Sequence, residues 1–147
     1  SSQLYRRMGL SRVYFSAYQR GAGSPELPGE RSNVSGDQML TREHRLYQVD
    51  WLVRKYGFRV DEIPVGPDGN LSLERDPKAM WAEAHPEFFP VNANTAESWQ
   101  LLRVPGLGQV MVDRILTLRR QGGRVRSFQT LGRQTALLKK AAGYVTF

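Results

Sequence analysis

Two glycines bracket a tight reversal in the last third of the chain, in the run Pro105-Gly106-Leu107-Gly108. Apolar residues at helical spacing lie on both sides of it, so the run predicts two short helices joined by a turn that a Cβ atom would obstruct. The second helix begins directly after Gly108, and its first amides have no partner within the helix. Free amides at the positive end of a helix dipole bind anions. The spacing therefore predicts an anion site at this turn.

Basic residues concentrate around the same turn. Residues 1–99 contain 12 Lys or Arg and 13 Asp or Glu, whereas residues 100–147 contain 9 Lys or Arg and one acid, Asp113. Such a module has the electrostatic character of a phosphate-binding surface. Charge alone fits a solubilising tail or a surface for an acidic protein equally well. The predicted flanking phosphate contacts are Arg114, Arg119, Arg120, Arg124 and Arg126.

Residues 101–116 resemble the helix-hairpin-helix motif. The positions that carry the resemblance are Val104, Pro105, Gly106, Leu107, Gly108, Val112 and Ile115. The resemblance implies binding to the DNA backbone without sequence preference, in which phosphate oxygens accept hydrogen bonds from the amides of Gly106, Gly108, Val110 and Met111. It also implies a monovalent cation, K⁺ or Na⁺, that bridges to phosphate. Its ligands would be the backbone carbonyls of Leu102, Val104 and Leu107.

The elements that must position this turn predict a mainly α chain with minor β structure, in two parts, residues 1–91 and 92–147. The predicted elements are a helix end at 5–8 stopped by Gly9, a strand near 12–18, a long loop over 19–40, a deeply packed helix over 41–57 capped by Thr41, and a helix over 77–84. In the second part, Asn94 is predicted to cap the helix that leads into the turn. Trp51, Trp81 and Trp99 are predicted to pack in the core.

Several kinds of chemistry are excluded or disfavoured by residue type. The chain has no cysteine, which excludes disulfides, thiolate zinc sites, a cysteine nucleophile and an iron–sulfur cluster held by its own thiolates. His44 lies beside Glu43 and near Asp50, but on a different helix face from Glu43, so a structural role is favoured over acid–base chemistry. His85 has no companion at metal-ligand spacing. No apolar run reaches the roughly 20 residues that span a bilayer, so we expect a cytoplasmic protein without membrane contacts.

A wider resemblance covers most of the chain. It is carried by residues 12–18, 42–58, 76–78, 89–94 and 102–106, and most specifically by the run Arg-Glu-His-Arg-Leu-Tyr-Gln that starts at Arg42. These residues resemble the C-terminal portion of a family of bacterial radical S-adenosylmethionine (SAM) proteins assigned to DNA modification or repair. The family is associated by gene context with a uracil-DNA glycosylase-like partner.

This resemblance implies that the N-terminal part is a remnant of the end of an α/β radical SAM barrel. S-adenosylmethionine and a [4Fe–4S] cluster would then belong to the intact protein, which would be the enzyme. Because this chain lacks cysteine, we expect no such activity from it alone. The expected partners are DNA, the missing barrel domain and the glycosylase-like protein.

Two functions remain open from the sequence. In one, the C-terminal module binds DNA without sequence preference and tethers a radical SAM enzyme to its substrate. In the other, the same basic hairpin is a protein interaction module that docks on a repair partner such as the glycosylase-like protein. The two differ in their dependence on salt, since binding to phosphates weakens as ionic strength rises.

Overall fold

The computed structural model describes residues 5, 7–9, 11, 13–16, 21, 24–26, 35–132 and 135–147. Five α-helices and a two-stranded sheet are complete within these residues, which confirms a mainly α chain with minor β structure. In chain order they are α1 (Gly36–Lys55), α2 (Pro77–Ala84), β1 (Val91–Asn92), α3 (Ser98–Arg103), α4 (Gln109–Arg120), α5 (Ala136–Ala141) and β2 (Val145–Thr146). Short 3₁₀ turns lie at Val60–Glu62, Pro86–Phe88, Phe128–Leu131 and Ala142–Tyr144.

Contacts between residues divide the chain into two compact units, residues 1–77 and 78–147. The boundary falls 14 residues before the predicted one at 91/92. Aromatic packing explains the difference. The ring of Trp81 meets that of Phe89 with centroids 6.3 Å apart, and Phe89 meets Tyr144 at 4.9 Å. Residues just after the start of α2 therefore belong with the C-terminal unit.

Helix α1 begins five residues before the predicted first residue. Ser35 caps it, because the Ser35 hydroxyl accepts a hydrogen bond from the Gln38 amide at 3.3 Å and the Gln38 side chain accepts one from the Ser35 amide at 3.2 Å. This reciprocal capping box satisfies two amides at once. The hydroxyl of Thr41, the predicted cap, instead donates to the carbonyl of Asp37 inside the helix. The prediction of a loop over 19–40 was thus wrong for residues 36–40.

The predicted end of α1 and the predicted helix at 77–84 are confirmed. Lys55 is the last residue of α1, and Gly57 follows in the left-handed region with φ +71°. Helix α2 runs over the predicted Pro77–Ala84, with proline at its first position, where a missing amide costs nothing. Near the N-terminus, Tyr5, Arg7 and Met8 are helical, and Gly9 ends that segment with φ +62°.

The strand predicted near 12–18 is absent from residues 13–16, the main part of it that the structure describes. Side-chain hydroxyls take up the backbone groups there. The amide of Val13 donates to the Tyr5 hydroxyl at 3.0 Å, and the amide of Phe15 donates to the Tyr47 hydroxyl at 3.1 Å. The segment has the β-branched and aromatic composition of a strand, but its backbone hydrogen bonds are made to tyrosines of its own unit.

The prediction that α1 is deeply packed was also wrong, since its buried residues are Asp50 and Leu52. Asp50 accepts hydrogen bonds from the Tyr5 hydroxyl at 2.6 Å and from Arg54 Nε at 2.8 Å. The buried carboxylate is therefore paired, as burial requires. Trp51 remains 46% exposed.

The core of the C-terminal unit lies beneath the hairpin. Its fully buried side chains include Leu101, Val104, Pro105, Leu107, Val112, Ile115 and Val125. Strands β1 and β2 pair in parallel, with Val91 opposite Val145. Asn94 does not cap α3 as predicted. Its side chain donates to the carbonyl of Val125 at 2.9 Å and accepts from the amide of Val125 at 2.8 Å, so it joins two backbone segments instead.

Two indole rings flank the guanidinium of Arg103, the last residue of α3. The Arg103 Cζ atom lies 4.7 Å from the ring centre of Trp81 and 5.7 Å from that of Trp99. Trp81 is buried as predicted, whereas Trp99 is 46% exposed, contrary to the prediction. Cation–π contacts of this kind stabilise a buried arginine. Among the described residues, no helix combines the length and the apolar character needed to cross a membrane.

Candidate nucleic-acid interface

Helices α3 and α4 are joined by a five-residue turn, residues 104–108. The amide of Leu107 donates to the carbonyl of Val104 at 3.1 Å, which closes the turn. Pro105 and Leu107 are buried, so Leu107 fixes the turn to the core, as its position between two glycines indicates. Gly106 has φ +87°, a conformation that L side chains rarely adopt. The predicted pair of short helices joined by a tight turn is therefore present.

The two glycines of the turn have different surroundings. A Cβ atom built on Gly106 would lie 2.1 Å from the carbonyl oxygen of Leu137 in α5. The space that glycine provides at this position is thus occupied by the backbone of α5. Gly108 has extended backbone, φ −106° and ψ 173°, and is the N-cap of α4 without a side-chain cap. Of the two glycines, Gly108 therefore lies at the free end of α4.

Four amides in the turn and the first two positions of α4 form no hydrogen bond with any described residue. They belong to Gly106, Gly108, Gln109 and Val110. The amide of Met111, which was predicted to contact phosphate, instead donates to the carbonyl of Gly108 at 3.0 Å. Of the four amides predicted to contact phosphate, that of Met111 thus has a partner at the N-cap of α4, whereas the free amide of Gln109 was not among those predicted. The free amides of the three consecutive residues Gly108, Gln109 and Val110 form a candidate anion site at the start of α4, which we call the anion cradle.

The five arginines predicted to contact phosphate differ in exposure. Arg119 is half-buried, and its Nη1 atom donates to the carbonyl of Ala96 at 2.6 Å, so it holds the segment before α3 against α4. The exposed arginines are Arg114, Arg120, Arg124 and Arg126. None of these four arginines forms an ion pair with a carboxylate of any described residue. The exposed arginines of the hairpin unit are thus not neutralised by carboxylates.

Position along α4 separates these arginines. Arg114 lies in the first half of the helix, where its Nη1 atom donates to the carbonyl of Leu131 at 3.1 Å. Arg120 bonds back to its own helix, at the carbonyl of Leu116 and the hydroxyl of Thr117. At 1.5 Å rise per residue it stands about 15 Å from the anion cradle. The two ends of α4 can therefore reach different phosphates of one backbone, but not the same phosphate.

The only acid of the last third, Asp113, lies one turn into α4. It is exposed and accepts a hydrogen bond from the side chain of Gln109 at 3.0 Å. A carboxylate near the start of a helix interacts favourably with the helix dipole. It also repels a phosphate that approaches the same end. Asp113 thus lowers the positive electrostatic potential at this end of α4.

A buried lysine reaches the turn from α2. Lys78 is 7% exposed, and its Nζ atom donates to the carbonyl of Leu107 at 2.6 Å. Leu107 is one of the three residues whose carbonyls were predicted to hold K⁺ or Na⁺, and the carbonyl of Val104 already accepts the Leu107 amide. Sequence reasoning missed Lys78, because nothing in its local pattern points to a partner 29 residues away.

Two of the side chains considered for acid–base chemistry, His85 and Asp50, form contacts within the fold. His85 Nδ1 lies 2.8 Å from the carbonyl oxygen of Trp81, and its ring stacks on that of Trp81 at 4.4 Å. His44 is exposed on α1, while Asp50 is bound to Tyr5 and Arg54. Within the described ranges, no three His, Asp or Glu side chains converge to hold a metal ion.

Comparison with known proteins bears on the C-terminal unit alone. No curated protein and no solved structure matches the chain. A protein-family model described as a helix-hairpin-helix motif matches residues 88–145. This motif typically binds nucleic acids, which is consistent with DNA binding. The match covers the turn, the anion cradle and the exposed arginines, so the resemblance that residues 101–116 carry is confirmed as a helix-hairpin-helix motif.

Proposed function

We propose that the C-terminal unit, residues 78–147, binds the phosphate backbone of duplex DNA without sequence preference. The observation that carries the proposal is the set of unpartnered amides at the start of α4, in a turn that lies within the helix-hairpin-helix match. One phosphate accepts from the anion cradle formed by Gly108, Gln109 and Val110. Exposed arginines contact neighbouring phosphates and add affinity that falls with salt.

An isosteric change of charge tests the cradle directly. Gln109 is exposed and is the first residue of α4, so Gln109→Glu places a carboxylate beside the bound phosphate without changing side-chain size. Two like charges about 6 Å apart at an exposed site repel by about 1–2 kcal/mol, which is about a 5- to 30-fold loss of affinity. The fold tolerates the change, because the helix dipole gain and the repulsion from Asp113 offset each other.

The matched control is Gln121→Glu, at the opposite end of the same helix. Gln121 is also exposed and is the C-cap of α4. Affinity for a labelled random-sequence duplex is measured by fluorescence anisotropy at fixed ionic strength, with the full chain. We expect Gln121→Glu to weaken binding by less than about threefold, since the opposing charge lies far from the cradle. Equal losses in both variants, or no loss in either, would contradict binding at the start of α4.

Two exposed apolar residues favour the second candidate function, docking on a protein. Val110 in α4 is 68% exposed, and Leu137 in α5, next to the turn, is 64% exposed. Exposed apolar side chains of this kind suit the core of a protein interface, which is more apolar than its rim. A salt series separates the two functions. Binding to a duplex weakens steeply between low and moderate salt, whereas the docking function predicts no DNA affinity and a partner complex that tolerates salt.

A finer proposal concerns a catalytic domain that this module would serve. The module holds a catalytic domain on DNA, and the wider resemblance implies that this domain is a radical SAM barrel. The same resemblance implies that residues 1–91 are the end of that barrel and a linker. The test is the gene sequence that precedes these residues. A C-x₃-C-x₂-C run there supports the proposal, and a different upstream domain refutes it.

A further inference from the structure

Lys78 makes an unusual contact for a lysine in a small module. Its side chain is almost wholly buried, and its ammonium group donates to the carbonyl of Leu107, the residue between the two hairpin glycines. Lysine is rarely fully buried, because removing its charge from water is costly unless polar groups compensate. A distance of 2.6 Å is that of a short, charge-assisted hydrogen bond. The contact therefore places one positive charge directly behind the turn.

The same carbonyl cannot comfortably hold a metal ion as well. A second positive charge about 4 Å from the ammonium group would be strongly repelled by it. Because the ammonium group occupies the Leu107 carbonyl, the set of Leu102, Val104 and Leu107 carbonyls does not fit the K⁺ or Na⁺ ion that the resemblance implies.

We infer that the ammonium group of Lys78 takes the place of that cation, so that the hairpin carries its own fixed monovalent charge. An ammonium group is a compact point charge with several donors, which suits it to carbonyl oxygens. The Lys78 ammonium group polarises the Leu107 carbonyl, while the free amides of the anion cradle face the anion. Lys78 is therefore a positioning residue, and the hairpin needs no particular alkali ion. For its DNA-binding part, the inference rests on the proposed function.

The test compares salts and variants on the full chain. Affinity for the random duplex and the thermal unfolding midpoint of the free protein are measured in KCl and in tetramethylammonium chloride at equal concentration. We expect the wild-type protein to give the same midpoint and the same affinity, within about twofold, in both salts, since its internal charge is independent of the ion. A wild-type protein that is stabilised by K⁺, or binds DNA several-fold better in K⁺, overturns the inference.

Lys78→Met removes the charge and keeps the volume, and Lys139→Met is the matched control on an exposed lysine of α5. Binding is measured where both variants are fully folded. We expect Lys78→Met to lose about tenfold in affinity, because the Leu107 carbonyl loses a charged partner, and Lys139→Met to lose about twofold. Equal losses in the two variants count against a positioning role.

A third variant gives a signal that a purely structural lysine would not produce. Lys78→Ala leaves space beside the carbonyls, so we expect it to bind DNA more tightly, or to unfold at a higher temperature, in K⁺ than in tetramethylammonium. Equal behaviour in the two salts contradicts the inference. If the wild-type chain binds no DNA at all, the proposed function fails, while the unfolding midpoints still decide whether Lys78 substitutes for an ion.

Discussion

Replacing Gly106 with alanine destabilises the C-terminal unit for two separable reasons. Gly106 has φ +87°, and the left-handed region costs an L residue about 1–2 kcal/mol. Gly122, just after α4, has the similar value of φ +76°, but a Cβ there meets nothing within 4 Å. Gly122→Ala thus measures only the cost of a positive φ angle for an L residue, and it serves as the control.

The second reason is steric. The new Cβ at residue 106 would lie 2.1 Å from the backbone oxygen of Leu137, so α5 must move or the turn must open. Overpacking against a rigid neighbour costs about 1–3 kcal/mol. We therefore expect Gly106→Ala to lose about 2–5 kcal/mol and Gly122→Ala about 1–2 kcal/mol. For a unit of this size a difference of 2 kcal/mol corresponds to roughly 10 °C in the unfolding midpoint.

The assay is unfolding by urea and by heat, followed by tryptophan fluorescence in a Trp51→Phe background. The remaining tryptophans, Trp81 and Trp99, both lie in the C-terminal unit, so the signal reports on that unit. Trp51 is half-exposed, and its replacement leaves the core of the N-terminal unit unchanged. Equal destabilisation by the two alanine variants would refute the close approach of the turn and α5, since strain from positive φ would then explain both.

Three further predictions follow from other contacts. Replacing Arg124 and Arg126 with glutamine makes the slope of log affinity against log salt less negative by about 2 and leaves the unfolding midpoint unchanged, because both are exposed and, in the proposed function, contact phosphates; an unchanged slope places the DNA elsewhere. Asn94→Ala leaves the buried amide and carbonyl of Val125 without partners and lowers the free energy of unfolding by about 3 kcal/mol in urea titrations, while an exposed control, Gln129→Ala, has no effect. Burial, followed by the hydrogen bond to Asp50, raises the pKa of Tyr5 above its usual 10.0, so its contribution to stability is complete below pH 10 and is lost as pH rises through the folded pKa. Comparing alkaline unfolding of wild type and Tyr5→Phe checks this, and identical pH profiles would contradict it.

Local signals in the sequence predicted the hairpin and α2 well. Proline fixes its own φ angle, and glycine allows φ angles that other residues rarely adopt. Asp76-Pro77 and the Pro-Gly-Leu-Gly run therefore specify the start of α2 and the turn of the hairpin with little dependence on the rest of the fold. Two adequate caps compete at the start of α1. Ser35 is the stronger cap, because Gln38 lies three residues after it and completes a capping box, whereas Thr41 has no such partner.

The features that the sequence did not predict depend on contacts between distant residues. The strand expected near 12–18 has strand composition, yet strand propensity has no effect without a neighbouring strand. Tyr5 and Tyr47 satisfy its amides instead. In the site, the pairing of Lys78 with Leu107 and the closeness of Gly106 to Leu137 depend on how α2 and α5 pack around the turn. No periodicity in either segment encodes those distances.

The guanidinium of Arg103 between Trp81 and Trp99 gives the hairpin an intrinsic optical reporter. Arg103 immediately precedes the turn, and a nearby cation shifts the emission of an indole ring by acting on its excited-state dipole. Any movement of the turn when a ligand binds changes the distances between the Arg103 guanidinium and the two indole rings. Ligand binding at the hairpin can therefore be followed by the colour of the protein's own fluorescence, without attaching a dye to either molecule.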